Sequence, residues 1–223
     1  SVSPIGVAST AAAFGLLVPA IFGVFVPGYN PATQYISELG AHGSPHASLV
    51  NWGIFFPTAI LNLVAVIGLA SRTPRGQRLP VLLLLGLVLG NLGAALFPCD
   101  TGCPAEGSPT QALHNLIGLI QYVSGGAALI AMSRRFAHHP LGLCLGLTVF
   151  ACLFIMGGPG IEMRGLWQRI AEVCLYGWLP LSAWGCTGPG VEALSLGDSY
   201  DNRESNQTGE QVGQLAVADH RKP

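Results

Sequence analysis

The sequence predicts an all-α integral membrane protein, a bundle of six transmembrane helices under a polar extracytoplasmic loop cap. Three observations carry that expectation. Half of the 223 residues are hydrophobic and only 9% are charged, whereas a soluble domain carries about 25% charged residues. So few charges cannot clothe a water-facing surface, and lipid must cover much of the chain. Six apolar runs of roughly 17–22 residues recur along the sequence, each enough to cross a hydrocarbon core of about 30 Å. Polar residues gather in the intervening segments and in a distinct tail.

The first run is expected over residues 6–26, where Pro19 is tolerable because membrane helices accommodate proline. No basic residue precedes it, so it reads as a span rather than a cleaved leader. A polar segment over 27–47 follows, then a second run over 49–70 and a loop with Arg72, Arg75 and Arg78. The third run, 79–97, leads into Phe97-Pro98-Cys99-Asp100-Thr101-Gly102-Cys103-Pro104. The fourth, 113–132, ends at Arg134 and Arg135. The fifth, 141–157, and the sixth, 166–186, are each broken by Gly-Pro-Gly. The spans make one domain, 1–187. Residues 188–223 form a polar, acidic tail whose composition does not support a core of its own.

Arginine sets the expected orientation. Five of the seven arginines before the tail lie in the loops after runs two and four, which places those loops and both termini in the cytoplasm. The predicted location is the inner membrane of a prokaryote. The partners expected are membrane lipids and a membrane protein complex; no basic tract points to nucleic acid. Glu38, Asp100, Glu106, Glu162 and Glu172 then fall in or near the outer half, with His42, His46 and His114.

Polar groups within the spans should face the bundle rather than lipid. These are Asn62, Asn91, Gln121, Arg169 and Glu172. Asn51 and Asn62 share a helix face, as do His114 and Gln121. Glu172 is either the partner of Arg169, three residues earlier, or a functional acid. Gly86-x-x-x-Gly90 and Gly142-x-x-x-Gly146 have the spacing that lets helix backbones approach, within one bundle or at a dimer seam. Trp52, Trp167, Trp178 and Trp184 read as interfacial anchors.

Cys144, Cys152, Cys174 and Cys186 lie in apolar spans and pack as small hydrophobes. Cys99 and Cys103 differ. They flank Asp100 in a Pro- and Gly-bearing turn on the oxidising side, so a disulfide is expected. Its main effect would be to fix the direction of that carboxylate. Glu38, Asp100 and His114 are the catalytic candidates; His42, His46, His114 and Asp100 are the metal candidates, with zinc the cofactor such nitrogen and oxygen donors would suit. The competing reading is that all of them bond the loops together.

Tyr35-Ile36-Ser37-Glu38-Leu39-Gly40, Phe97-Pro98-Cys99-Asp100 and Leu113-His114-Asn115 resemble DUF998, a family of prokaryotic six-span membrane proteins of unassigned function. The resemblance covers roughly residues 6–187. It implies the fold and marks Glu38, Asp100 and His114, but supplies no reaction. The residue types Ser37, Asp100, His42, His46 and His114 are also similar to those of membrane zinc hydrolases of the ceramidase and adiponectin-receptor group, in a different order and spacing. The functional expectation is a non-catalytic ligand-binding or accessory membrane subunit with a polar cluster on its outer face. The alternative is an intramembrane metal-dependent hydrolase of a lipid-like substrate. A transporter is the third reading, with few ionisable groups at mid-depth to support it.

Overall fold

The computed structural model describes residues 3–133, 139–158 and 161–185. Six long helices, with no strand among the described residues, make the bundle: α1 Pro4–Val24, α2 Ala47–Arg72, α3 Leu79–Leu96, α4 Pro109–Ser133, α5 His139–Met156 and α6 Arg164–Gly185. Their limits fall close to the six apolar runs. Arg134, Arg135, His138, Cys186, the glycine–proline breaks at 159–160 and 188–190, and the tail lie outside the described residues.

The protein is an all-α membrane protein, but its helices are not six equal spans. Among the described residues, α1 to α4 are each long and apolar enough to cross a membrane. The apolar part of α5, Pro140–Met156, is shorter, and α6 carries Arg164, Arg169 and Glu172. The physical reason is that α6 lends its first turns and one face to polar contacts. The outward faces of the bundle are apolar. Val24, Phe25, Leu79 and Phe154 are each at least 70% exposed, as lipid-facing side chains must be in a chain with so little charge.

Two helices depart from regular α geometry, each near a proline or a tight turn. Residues Asn51–Phe55 of α2 form a π-helical turn just before Pro57. Proline lacks an N–H and crowds the carbonyl four residues back, and a wider turn relieves both problems. In α3, Leu84 and Gly86 bond to carbonyls only three residues back, which tightens the helix there.

The main core joins all six helices through small and large residues together, including Ala8, Leu69, Leu84, Leu129, Val149, Leu175 and Trp178. Trp178 is 1% exposed and belongs to this core, whereas Trp52 and Trp184 lie on the outside. The glycine pairs serve the bundle itself. A Cβ at Gly86 would strike the Ser124 side chain and one at Gly90 the Gln121 side chain, both on α4. At Gly142 it would meet Ser133 and Trp178, and at Gly146 Ile130 and the Gly126 carbonyl. Dispersion and close backbone approach, not a hydrophobic drive, hold helices together in lipid, which is why these seams need glycine.

Candidate functional site: a polar cap over a cavity

The cap is built from the loop after α1, the cysteine loop and the first turns of α4 and α6. In the first loop, Asn30 Oδ1 accepts the N–H of Ala32, and Tyr35 N–H donates to Glu38 Oε1 at 2.9 Å. Glu38 therefore satisfies the start of the short 3-10 turn Ile36–Gly40 in the manner of a capping residue. Its other oxygen accepts from Gln34 Nε2.

Arg164, the first residue of α6, ties this loop to the next. Its Nη2 lies 3.2 Å from Glu38 Oε1 and donates to the Gly102 carbonyl at 2.9 Å; its Nε donates to the Thr33 carbonyl. The guanidinium also sits 4.9 Å from the centre of the Tyr35 ring. Arg169, a turn and a half along, donates to the carbonyls of Pro31, Gln34 and Gly165 and to the Tyr29 hydroxyl. Burial pushes the Tyr29 and Tyr35 phenols above the usual tyrosine value, with the nearby arginines opposing it. The paired reading of Arg169 and Glu172 is thereby corrected: the arginine turns outward to the loop and the acid inward.

Cys99 and Cys103 stand at disulfide distance, with Cα atoms 5.1 Å apart, inside the range such a bond requires. Cys103 N–H donates to the Asp100 carbonyl at 2.8 Å, closing a turn in which Gly102 takes φ +78°. Asp100 points its carboxylate to the start of α4. The Ser108 N–H and hydroxyl donate to its two oxygens at 2.8 Å each. Ser108 in turn accepts the Gln111 N–H, and Gln111 Oε1 accepts the Asp100 N–H. Asp100 and Ser108 thus cap α4 jointly, ahead of Pro109. The Ser108 backbone N–H first, its hydroxyl second, hold the Asp100 carboxyl below the usual carboxylate range; His42 adds to this and desolvation opposes it.

The three candidate catalytic residues serve one cap through separate partners. Glu38 meets Arg164, Asp100 meets Ser108, and His114 Nδ1 lies 2.9 Å from the Phe97 carbonyl. A carbonyl can only accept, so Nδ1 carries a proton, and in the neutral tautomer the lone pair lies on Nε2. The loops are sewn together by His42 N–H donating to the Cys99 carbonyl and by Thr101 Oγ1 donating to the His42 carbonyl. His46 instead packs edge-on against Phe22. Among the described residues, the group of three compact enough for a metal ion is Cys99, Cys103 and His114. With the two sulfurs joined, His114 is the donor that group has left.

Beneath this cap lies a cavity of about 810 Å³, within the usual range for small-molecule sites. Leu119, Leu153, Met156 and Ile161 supply apolar wall; Arg164, Gln168, His114 and Asn115 supply polar groups. The Cys103 and Ser37 side chains, 3.4 Å apart, also line it. Deeper in the bundle is a second, small cavity of about 70 Å³. Asn91, Gln121 and Glu172 line it directly. Asn62 and Asn91 donate to the Tyr176 hydroxyl at 3.1 and 2.8 Å, and Glu172 Oε1 accepts from Gln121 Nε2 and Tyr122 at 2.9 and 2.7 Å.

Sequence reasoning passed over Arg164, Gln168 and Ser108. Arg164 had a signal: it is an arginine on the side that the other loops leave poor in positive charge. Ser108-Pro109-Thr110-Gln111 also has the pattern of a helix start. Gln168 had none, since its role comes from accepting the Ile36 N–H, 132 residues away, at 2.6 Å.

The chain belongs to the DUF998 family, described as a protein of unknown function, whose family profile matches residues 9–185. No curated protein and no solved structure matches the chain.

Proposed function

We propose that this protein is a non-catalytic ligand-binding or accessory subunit of a prokaryotic inner membrane, and that its outer cavity takes a lipid-like amphiphile. On this reading all six helices cross the bilayer, both termini are cytoplasmic, and the cap faces outward. The observation that carries it is the cavity's two-sided lining. Leu119, Leu153 and Met156 suit an acyl chain, while Arg164, His114 and Asn115 suit a polar headgroup. The cap favours binding over turnover. Both Asp100 oxygens are engaged by Ser108, and Glu38 is engaged by Arg164, Tyr35 and Gln34. The hydrolase reading would need His42, His46, His114 and Asp100 to converge, and no geometry favours it: His46 lies against Phe22 and His114 binds the Phe97 carbonyl.

Gly118 offers a direct test. It lines the cavity, and a Cβ there would meet nothing within 4 Å, so a side chain placed there starts in open space. Wild-type protein in lipid nanodiscs should retain a defined amphiphile, seen as a mass adduct in native mass spectrometry. Gly118→Trp should lose that adduct at an unchanged melting temperature. The same lipid complement in both proteins would refute the proposal.

A further inference from the structure

Glu172 sits on α6 inside the bundle, 7% exposed. An acid in such a place needs a counter-charge, a full set of donors, or a proton. Among the described residues, no lysine or arginine lines the cavity beside it. From α1 the cavity beside Glu172 receives Gly15 and Pro19, from α2 Phe55, and from α3 Gly90, Asn91 and Ala94. From α4 come the titratable His114 and Tyr122; from α6 itself comes Tyr176, one turn on. Cys174 neighbours it along the helix, beside Cys152 of α5. Arg169, one turn back, spends its guanidinium on the outer loop.

The donors are lopsided. Gln121 and Tyr122 both donate to Oε1, while Oε2, fully buried, has no hydrogen-bond partner among the described residues. Two donors on one oxygen suit the carbonyl of a carboxyl group, with the other oxygen free to carry a proton. Glu172 borders the 70 Å³ cavity, which exceeds the roughly 10–15 Å³ that a single water needs.

That cavity is separated from the outer one by a thin polar partition. Ser37, His114, Gly118, Tyr122 and Gln168 line both spaces. Four of them can pass a hydrogen bond across, and Gly118 leaves a gap where a side chain would stand.

We infer that Glu172 is an internal proton-binding site that exchanges its proton with the outer face through this partition. On loading, hydronium in the small cavity gives its proton to Oε2. One O–H bond of hydronium breaks, the carboxyl O–H forms, and the carboxylate becomes neutral as hydronium becomes water. Release is the reverse. The inference goes beyond ligand binding and does not depend on it, because it requires only the small cavity and its partition.

Infrared difference spectroscopy on the full chain in nanodiscs, with no ligand added, tests it. On a step from acid to alkaline pH, the carbonyl band of a protonated carboxyl should vanish in wild type. That band should shift in heavy water and be missing from Glu172→Gln. In Tyr122→Phe it should persist at higher frequency, because its carbonyl has lost a donor; this variant assigns the band even where Glu172→Gln fails to fold. After a rapid pH jump, Gly118→Trp should slow the change several-fold. Identical difference spectra in wild type and Glu172→Gln, or a band that Tyr122→Phe does not move, would overturn the site. An unaltered rate in Gly118→Trp would overturn the route. An absent amphiphile adduct would leave all these outcomes as they stand, so the two proposals fail separately.

Discussion

At the residue scale, Asp100 shows how a conspicuous acid can serve structure. The Ser108 N–H and hydroxyl bind the ionised carboxyl and lower its pKa in the folded protein. A depressed carboxyl stabilises the fold above its unfolded value, about pH 3.9, and loses that contribution as pH falls through the folded value. Asp100→Ala should therefore melt earlier than wild type at neutral pH, with the gap closing in acid. A gap constant with pH, in melting curves of both proteins, would contradict this. Tyr176 carries a second prediction. Its hydroxyl accepts from Asn62 and Asn91, so Tyr176→Phe strands the buried Asn62 amide, while Asn91 keeps the Leu87 carbonyl. The expected cost is about 1–3 kcal/mol by reversible unfolding in detergent. The sequence named both asparagines and the acid, because polar groups in apolar runs stand out. It could not name Ser108 as the partner of Asp100, since that pairing depends on the path of the loop.

At the scale of elements, glycine decides how closely helices pack. Gly86, Gly90 and Gly93 of α3 face Ser124, Gln121 and Ile117 of α4. Gly90→Ala would push its methyl into Gln121, which also donates to Glu172. Overpacking of this kind costs about 1–3 kcal/mol. Gly68→Ala, where a Cβ meets nothing within 4 Å, should instead gain up to about 1 kcal/mol from helix propensity. Equal effects of the two substitutions in thermal unfolding would contradict the seam. The glycine spacing was legible in the sequence; which face it served was not, because small-xxx-small has the same form inside a bundle and between chains. The π-helical turn before Pro57 was also hidden, since sequence shows where a helix is stressed but not how it relaxes.

For the whole molecule, hydrophobic runs made the six helices legible almost to their ends, and four of them, α1 to α4, are apolar over a bilayer's thickness. The cavity was not legible. It lies among α4, α5, α6 and two loops, and its lining residues are scattered from Tyr35 to Gln168. Orientation can be checked with single cysteines in a background freed of the native ones. A cysteine at Glu162 should react with an impermeant maleimide from outside intact cells, and one at Gly76 only after permeabilisation. The opposite pattern would invert the topology. The most direct measurement of ligand binding is photo-cross-linking with a phosphatidylethanolamine that carries a diazirine on one acyl chain, mapped by peptide mass spectrometry. Cross-links at Leu119, Leu153 and Met156, lost in Gly118→Trp, are the expected result. Cross-links confined to outward-facing residues such as Leu17, Ile21 and Phe154, and unchanged in the variant, would contradict a cavity that holds an amphiphile.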